Sequence, residues 1–252
     1  MKQTFIMLSM CVLFFGCTRD WGSPTTKNYP INGTYTGLEV SSAFQVTVSD
    51  EVTDVVVTVG DLAHDKVIVK VIYGKLHIGL KPRVMYNGVA TAVIPASVLR
   101  ELELSGASSF IGDLSGSDVD IDLSGASTYQ GNVIANEVDI DLSGASTYTG
   151  HIAANSLETE LSGSSTATFD GSCQNAMEIE LSGASQLKAA HLDASTVRGT
   201  LSGASHADVT CCTSLKVDLS GASTLTYGTV SEECHPAINC STSGGSVVQP
   251  RR

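Results

Sequence analysis

Val119-Asp120-Ile121-Asp122-Leu123-Ser124-Gly125-Ala126-Ser127 returns almost letter for letter as Val138-Asp139-Ile140-Asp141-Leu142-Ser143-Gly144-Ala145-Ser146. The first half alternates apolar and acidic residues with period 2, the signature of a strand with one buried face. The second half, Leu-Ser-Gly-Ala-Ser or a near copy, begins at Leu104, Leu123, Leu142, Leu161, Leu181, Leu201 and Leu219. The intervals are 19, 19, 19, 20, 20 and 18 residues, and a fixed period near 20 marks a solenoid. The further leucines and the asparagine of a leucine-rich repeat are absent. About 19 extended residues at roughly 3.3 Å each circle a narrow core once, and each turn stacks on the last at roughly 4.8 Å. The expected fold is a right-handed parallel β-helix, handedness following from the preference of parallel crossovers.

Composition agrees with a narrow coil. Of 252 residues, 42% are hydrophobic, only 16% charged and 6% aromatic, with 24 glycines and one tryptophan. That apolar fraction excludes a disordered chain. The net charge of −12 argues against nucleic acid as partner, because phosphate binding needs a basic patch. The repeated glycine (Gly106, Gly125, Gly144, Gly163, Gly183, Gly203, Gly221) predicts a corner with special backbone angles. Phe110, Tyr129 and Tyr148 predict an inward aromatic column that continues as Ala167, Leu187, Ala207 and Leu225, the tyrosine hydroxyls reaching water.

Outward from the repeats, the chain divides into segments. Lys2 precedes an apolar run from Phe5 to Phe15, too short to span a bilayer. Leu13-Phe14-Phe15-Gly16-Cys17 matches a bacterial lipobox, so residues 1–16 read as a signal peptide and Cys17 as the lipidation site. Polar residues 17–32, with Pro24 and Pro30, read as a tether. Residues 33–100 contain alternating segments, two of them joined at Tyr73-Gly74-Lys75, and read as an N-terminal β cap. Residues 101–225 form the β-helix repeats, and 226–252 a C-terminal cap and tail.

Lipobox, β-rich N-terminal region and Leu-Ser-Gly-Ala-Ser ladder together resemble the "head GIN domain" family of auto-transporter adhesins, common as lipoproteins of Bacteroides-like bacteria. The resemblance covers about residues 33–225. It implies a β-helical fold at the cell envelope and carries over no functional residue. The expected location is the outer membrane. The expected partners are the membrane, through the lipid anchor, and a glycan or an envelope protein.

The candidate chemistry lies on the alternating strand. One outward column runs Glu101, Asp120, Asp139, Glu158, Glu178, Arg198, Lys216, and the other Glu103, Asp122, Asp141, Glu160, Glu180, Thr200, Asp218. Carboxylates about 5 Å apart in water repel by roughly 0.8 kcal/mol per neighbouring pair before screening. Hard-oxygen rows suit Ca²⁺, so weak, multiple Ca²⁺ binding is one reading; a solvated face that resists aggregation is the other. No organic cofactor is expected. Ser124, Ala126, Thr128 and their copies form a second outward strip, readable as a contact surface or as plain turn and sheet residues.

Export permits disulfides. Cys211 lies eight residues before Leu219, and Cys234 eight before Thr242 in the degenerate unit Thr242-Ser243-Gly244-Gly245-Ser246. Adjacent rungs bring such positions within disulfide reach. A staple is expected between Cys211 and Cys234, with Cys212 and Cys240 as alternates, leaving Cys173 free and buried. A zinc site at Cys234 and His235 would need further convergent ligands. No phosphate loop, His-Glu-x-x-His or Gly-x-Ser-x-Gly occurs, and a sevenfold Ser-Gly-Ala-Ser is structural, so no catalysis is expected. The alternative is a polysaccharide-acting β-helix enzyme using paired carboxylates such as Asp120 and Asp139.

Overall fold

A computed structural model describes residues 20–251. Residues 1–16, which the sequence reads as a signal peptide, and Cys17 lie outside the described residues. About 60% of the chain is strand, stacked in parallel as a β-solenoid of about 8 turns. A regular turn supplies three strand segments, as in Asp118–Leu123, Thr128–Gln130 and Val133–Ile134. Their partners one turn on are Glu137–Leu142, Thr147–Thr149 and Ile152–Ala153, residue for residue.

The Leu-Ser-Gly-Ala-Ser unit is the corner between the first two strands. Its glycines hold φ between 69° and 77°, the left-handed region that glycine enters without a Cβ penalty. From Gly125 onward each sits directly over the glycine below, and the following residue donates 2.7 Å to that glycine's carbonyl, as Ala184 N does to Gly163 O. A Cβ at Gly183 would lie 2.6 Å from the same oxygen. The last serine of each unit points inward and is buried. In most units its Oγ closes the corner by donating to the carbonyl three residues back, 2.7 Å in Ser127 and 2.8 Å in Ser146; Ser185 Oγ donates instead to Leu161 O at 3.2 Å, and Ser205 Oγ is buried without a partner. Except at Ser205, a polar group sits in the apolar lumen because it is paired. Thr242-Ser243-Gly244-Gly245-Ser246 is an eighth corner: Gly244 has φ 68°, and Gly245 N donates 2.7 Å to Gly221 O.

The aromatic column is present and buried: Phe110–Tyr129 and Tyr129–Tyr148 stack with centroids 5.8 and 4.7 Å apart. The expected exposure of the hydroxyls does not hold. Tyr129 Oη is buried without a hydrogen-bond partner, and Tyr148 Oη donates 3.4 Å to Gly131 O. Burial drives both phenol pKa values up.

The N-terminal region joins the same stack. Its strands are β1 (Pro24–Tyr29), β2 (Gly37–Val40), β3 (Phe44–Ser49), β4 (Val55–Gly60), β5 (Val67–Ile72), β6 (Lys75–Leu80) and β7 (Ala90–Pro95). β2 and β3 form a rung beneath the strands Glu101–Leu104 and Ser109–Ile111. β6 then stacks on β2, and β7 on β3. β5 and β6 form an antiparallel hairpin whose Tyr73 and Gly74 both have positive φ, the type I′ geometry that suits a two-residue turn.

The expected tether over 17–32 is shorter than the sequence suggests. β1 pairs antiparallel along β4, from Pro24 opposite Gly60 to Tyr29 opposite Val55. Trp21 is buried against Tyr86, with ring centroids 5.5 Å apart. β1 carries no apolar alternation because main-chain pairing and side-chain hydrogen bonds hold it. Tyr29 Oη lies 2.9 Å from His64 Nδ1, and Thr25 Oγ1 3.0 Å from His64 Nε2.

Gly183→Ala is expected to lose more than about 2 kcal/mol, combining left-handed strain with a clash against the stacked carbonyl. Gly245 stands where the other corners carry Ala or Ser, and a Cβ there has room. Gly245→Ala should stay within about 0.5 kcal/mol. Urea unfolding of both variants checks the contrast.

Candidate functional site: a carboxylate ladder along the solenoid

The parallel register turns a sequence pattern into two vertical columns. Glu101, Asp120, Asp139, Glu158, Glu178, Arg198 and Lys216 pair in order, and so do Glu103, Asp122, Asp141, Glu160, Glu180, Thr200 and Asp218. All ten candidate acids from Glu101 to Glu180 therefore stand on one face. Their inward neighbours, such as Ile121, Leu123, Ile140 and Leu142, are buried. Ser143, Ser162, Ser182 and Ser202 run beside the second column. Together they line a shallow groove of about 390 Å³, carboxylates on one wall and serine hydroxyls on the other.

Cations guard both ends of the ladder. Lys75, on β6, reaches Glu101 and Glu103 at 2.5 Å each. His77 Nδ1 lies 2.7 Å from Glu39. At the other end Arg198 meets Glu178 at 2.7 Å, with Lys216 one rung further. Among the described residues, no ion pair reaches Asp120, Asp122, Asp139, Asp141, Glu158 or Glu160. Partial burial, and then Glu103, raises the pKa of Asp122. Burial and then Asp120 raise Asp139, and burial and then Asp122 raise Asp141. Glu158 follows through burial and Asp139, whereas Asp141 is the larger cause for Glu160.

Lys75, His77 and Glu39 are the residues that reading the sequence misses. β6, β2 and Glu101–Leu104 stack out of chain order, so no fixed period connects them. The one available signal is the alternation of Leu76-His77-Ile78, which marks the strand but not its neighbour.

The ladder is a line, not a cage. Among the described residues no group of three or more His, Cys, Asp or Glu is placed to hold a metal ion. His235 is exposed and Cys234 is in a disulfide, so the zinc reading has no ligand set.

The staple joins Cys212 to Cys234, with Cα atoms 4.7 Å apart. Cys211, the first candidate, is corrected by strand alternation. It points into the lumen beside Ala194 and is buried, whereas its neighbour Cys212 points outward. Burial raises the Cys211 thiol to about 11, with Cys240 adding to it. Cys240 and the buried Cys173 are also thiols.

A family described as "Putative auto-transporter adhesin, head GIN domain" matches residues 34–229. Comparison with curated proteins gives no match. Three crystal structures share the fold. A "putative lipid binding protein" from Parabacteroides distasonis is 19% identical, with TM-score 0.80 over 92% of this chain and 98% of that one. A "putative adhesin" from the same species is 21% identical, with TM-score 0.80 over 91% and 98%. A third, also described as a "putative adhesin", comes from Parabacteroides merdae; it is 17% identical, with TM-score 0.69 over 92% and 97%.

A carboxyl whose folded pKa exceeds its unfolded value binds more protons in the folded state, so the fold gains stability as pH falls from neutral toward the ordinary carboxylate range. Asp139→Asn with Asp141→Asn should raise the thermal midpoint at neutral pH and low salt. The gain should shrink near about pH 5 and with added salt. Differential scanning calorimetry at two pH values and two salt concentrations reads it. Separately, Cys212→Ser should cost up to about 3 kcal/mol, the loop-closure value for a span near 22 residues. Hydrogen exchange should show residues 229–251 opening first.

Proposed function

The chain belongs to the auto-transporter adhesin, head GIN domain family, and from that premise we propose a non-catalytic adhesive role at the cell envelope. In this reading Cys17 carries the lipid anchor to the outer membrane, and the carboxylate ladder is the contact surface. The carrying observation is the run of six exposed carboxylates, Asp120 to Glu160, that no ion pair reaches among the described residues, between Lys75 at one end and Arg198 at the other. Such a strip presents a fixed row of charge at strand spacing, which complements a cationic partner and repels acidic polymers. The partner is a basic segment of an envelope protein or an amine-bearing glycan. Descriptions of the relatives as adhesins and a lipid-binding protein support binding rather than turnover.

Ca²⁺ enters this reading as a loosely held counter-ion. A row of single carboxylates supplies charge but not the six to eight oxygens of a tight site. The polysaccharide-enzyme alternative lacks an enclosed cleft around Asp120 and Asp139, which stand on an open strand face.

The test is a glycan array and a basic-peptide array probed with a Cys17→Ser chain. Binding that weakens with salt, and at least tenfold in Asp122→Asn/Asp141→Asn/Glu160→Gln, is the expected outcome; tenfold is about 1.4 kcal/mol. Unchanged binding in that variant would move the contact surface elsewhere. Polysaccharide cleavage abolished by Asp120→Asn would replace adhesion with catalysis.

A further inference from the structure

We propose that the N-terminal end of the solenoid is a foot that rests on an anionic lipid bilayer, so that the coil stands up from the membrane. The proposal rests on the anchor reading for Cys17 and adds to it a protein surface and an orientation.

The first observation is length. Trp21 is buried in the end of the fold, four residues after Cys17. Four extended residues span at most about 14 Å. An acyl group on Cys17 would therefore hold this end of the body within that distance of the lipid, with no room for a bilayer-remote fold.

The second is what surrounds Trp21. The 3₁₀ turn Asp61–Lys66 covers this end, and Leu62 N donates 3.2 Å to Trp21 O. Tyr86, packed on Trp21, accepts from Gly60 N at 2.8 Å and donates to Val89 O at 3.3 Å. Around this junction three large apolar side chains face solvent: Leu62 is 57% exposed, Met85 88% and Val89 69%. Nothing in their own elements covers them, and a soluble surface gains nothing from exposing three together.

The third is charge. The protein is strongly acidic overall, yet Lys66, Lys81 and Arg83 gather here. Lys81 N donates 2.8 Å to Lys66 O, and Lys81 Nζ donates 2.7 Å to Asp65 O. Lys27 is exposed on the same face of β1 as Thr25 and Tyr29, whose hydroxyls meet His64 of the covering turn. The acids nearby are Asp20, Asp61 and Asp65; Asp65 is paired with Lys66, and Asp20 Oδ1 accepts from Gly22 N. Basic groups interleaved with exposed apolar side chains are what an anionic leaflet attracts. Such groups would add to an acylated Cys17 and set how the body rests against the leaflet. About 8 turns at roughly 4.8 Å would then carry the far end some 40 Å above the lipid, with the carboxylate columns rising away from it.

The test uses the full chain on vesicles of mixed phosphatidylcholine and phosphatidylglycerol, and on phosphatidylcholine alone. Mass spectrometry of Cys17 judges the anchor. Hydrogen exchange judges the foot: it should slow at 61–66 and 81–89 on the anionic vesicles and stay unchanged at 229–246. Lys66→Glu/Lys81→Glu/Arg83→Glu should abolish that slowing while leaving the thermal midpoint near wild type. An acylated Cys17 with unchanged exchange in both segments would overturn the foot and leave the anchor standing. Slowed exchange on added anionic vesicles, with no acyl group on Cys17, would keep the foot and overturn the anchor.

Discussion

Every level of this structure depends on one backbone contact: a glycine in left-handed geometry lying on the carbonyl of the glycine one turn below. The contact fixes the rise between turns and the residue-for-residue register. A Cβ at any of these corners beyond the first would press on that oxygen, so the position tolerates no other residue in the middle of the stack. At the first rung the constraint is lifted. Ser42 and Ala43 take up φ of 64° and 61°, and the corresponding corner carries no glycine. Strain of that kind is bearable once and would accumulate if repeated at every turn.

Register has a second consequence. A parallel stack without slippage places each residue on its own copy, so the solenoid amplifies whatever the repeat contains. Leucine on leucine and serine on serine favour the fold. Carboxylate on carboxylate opposes it: partial burial first, and then neighbouring carboxylates, raise the pKa values of Asp122, Asp139, Asp141 and Glu158, and for Glu160 the neighbour Asp141 is the larger cause. Lys75 caps both columns at one end, and towards the other the first column turns cationic at Arg198 and Lys216 while the second passes through Thr200 to Asp218. A protein seeking only solubility could have mixed charges along the whole face. This placement of the cations leaves the six acids from Asp120 to Glu160 without an ion pair among the described residues.

The repeat region was legible because its period is local: strand, corner, glycine and inward column all follow from spacing alone. What escaped depends on partners far apart in sequence. β1 reads as polar linker because its hydrogen bonds go to β4, some 30 residues on. Lys75 reads as one end of a hairpin because the rung that carries it stacks beneath β2 in reversed chain order. For the disulfide, spacing selects the two rungs and leaves Cys211 and Cys212 both open, and only their inward-outward alternation selects Cys212 as the partner of Cys234.

The interior shows how such a stack accepts change along its axis. Through Phe110, Tyr129 and Tyr148 the ring stands at one position and a glycine follows two residues later, at Gly112, Gly131 and Gly150. One turn on, Ala167 takes the ring's place and Phe169 takes the glycine's. Phe169 lies 6.0 Å from Tyr148 and is buried, so the lumen stays filled although the column changes identity. The exchange comes with a register shift between Thr168 and Asp170. It falls where the repeat interval lengthens from 19 to 20 residues. At this turn the bulk moves from one inward position to the other, and that freedom lets neighbouring repeats differ in residue while both keep the lumen packed.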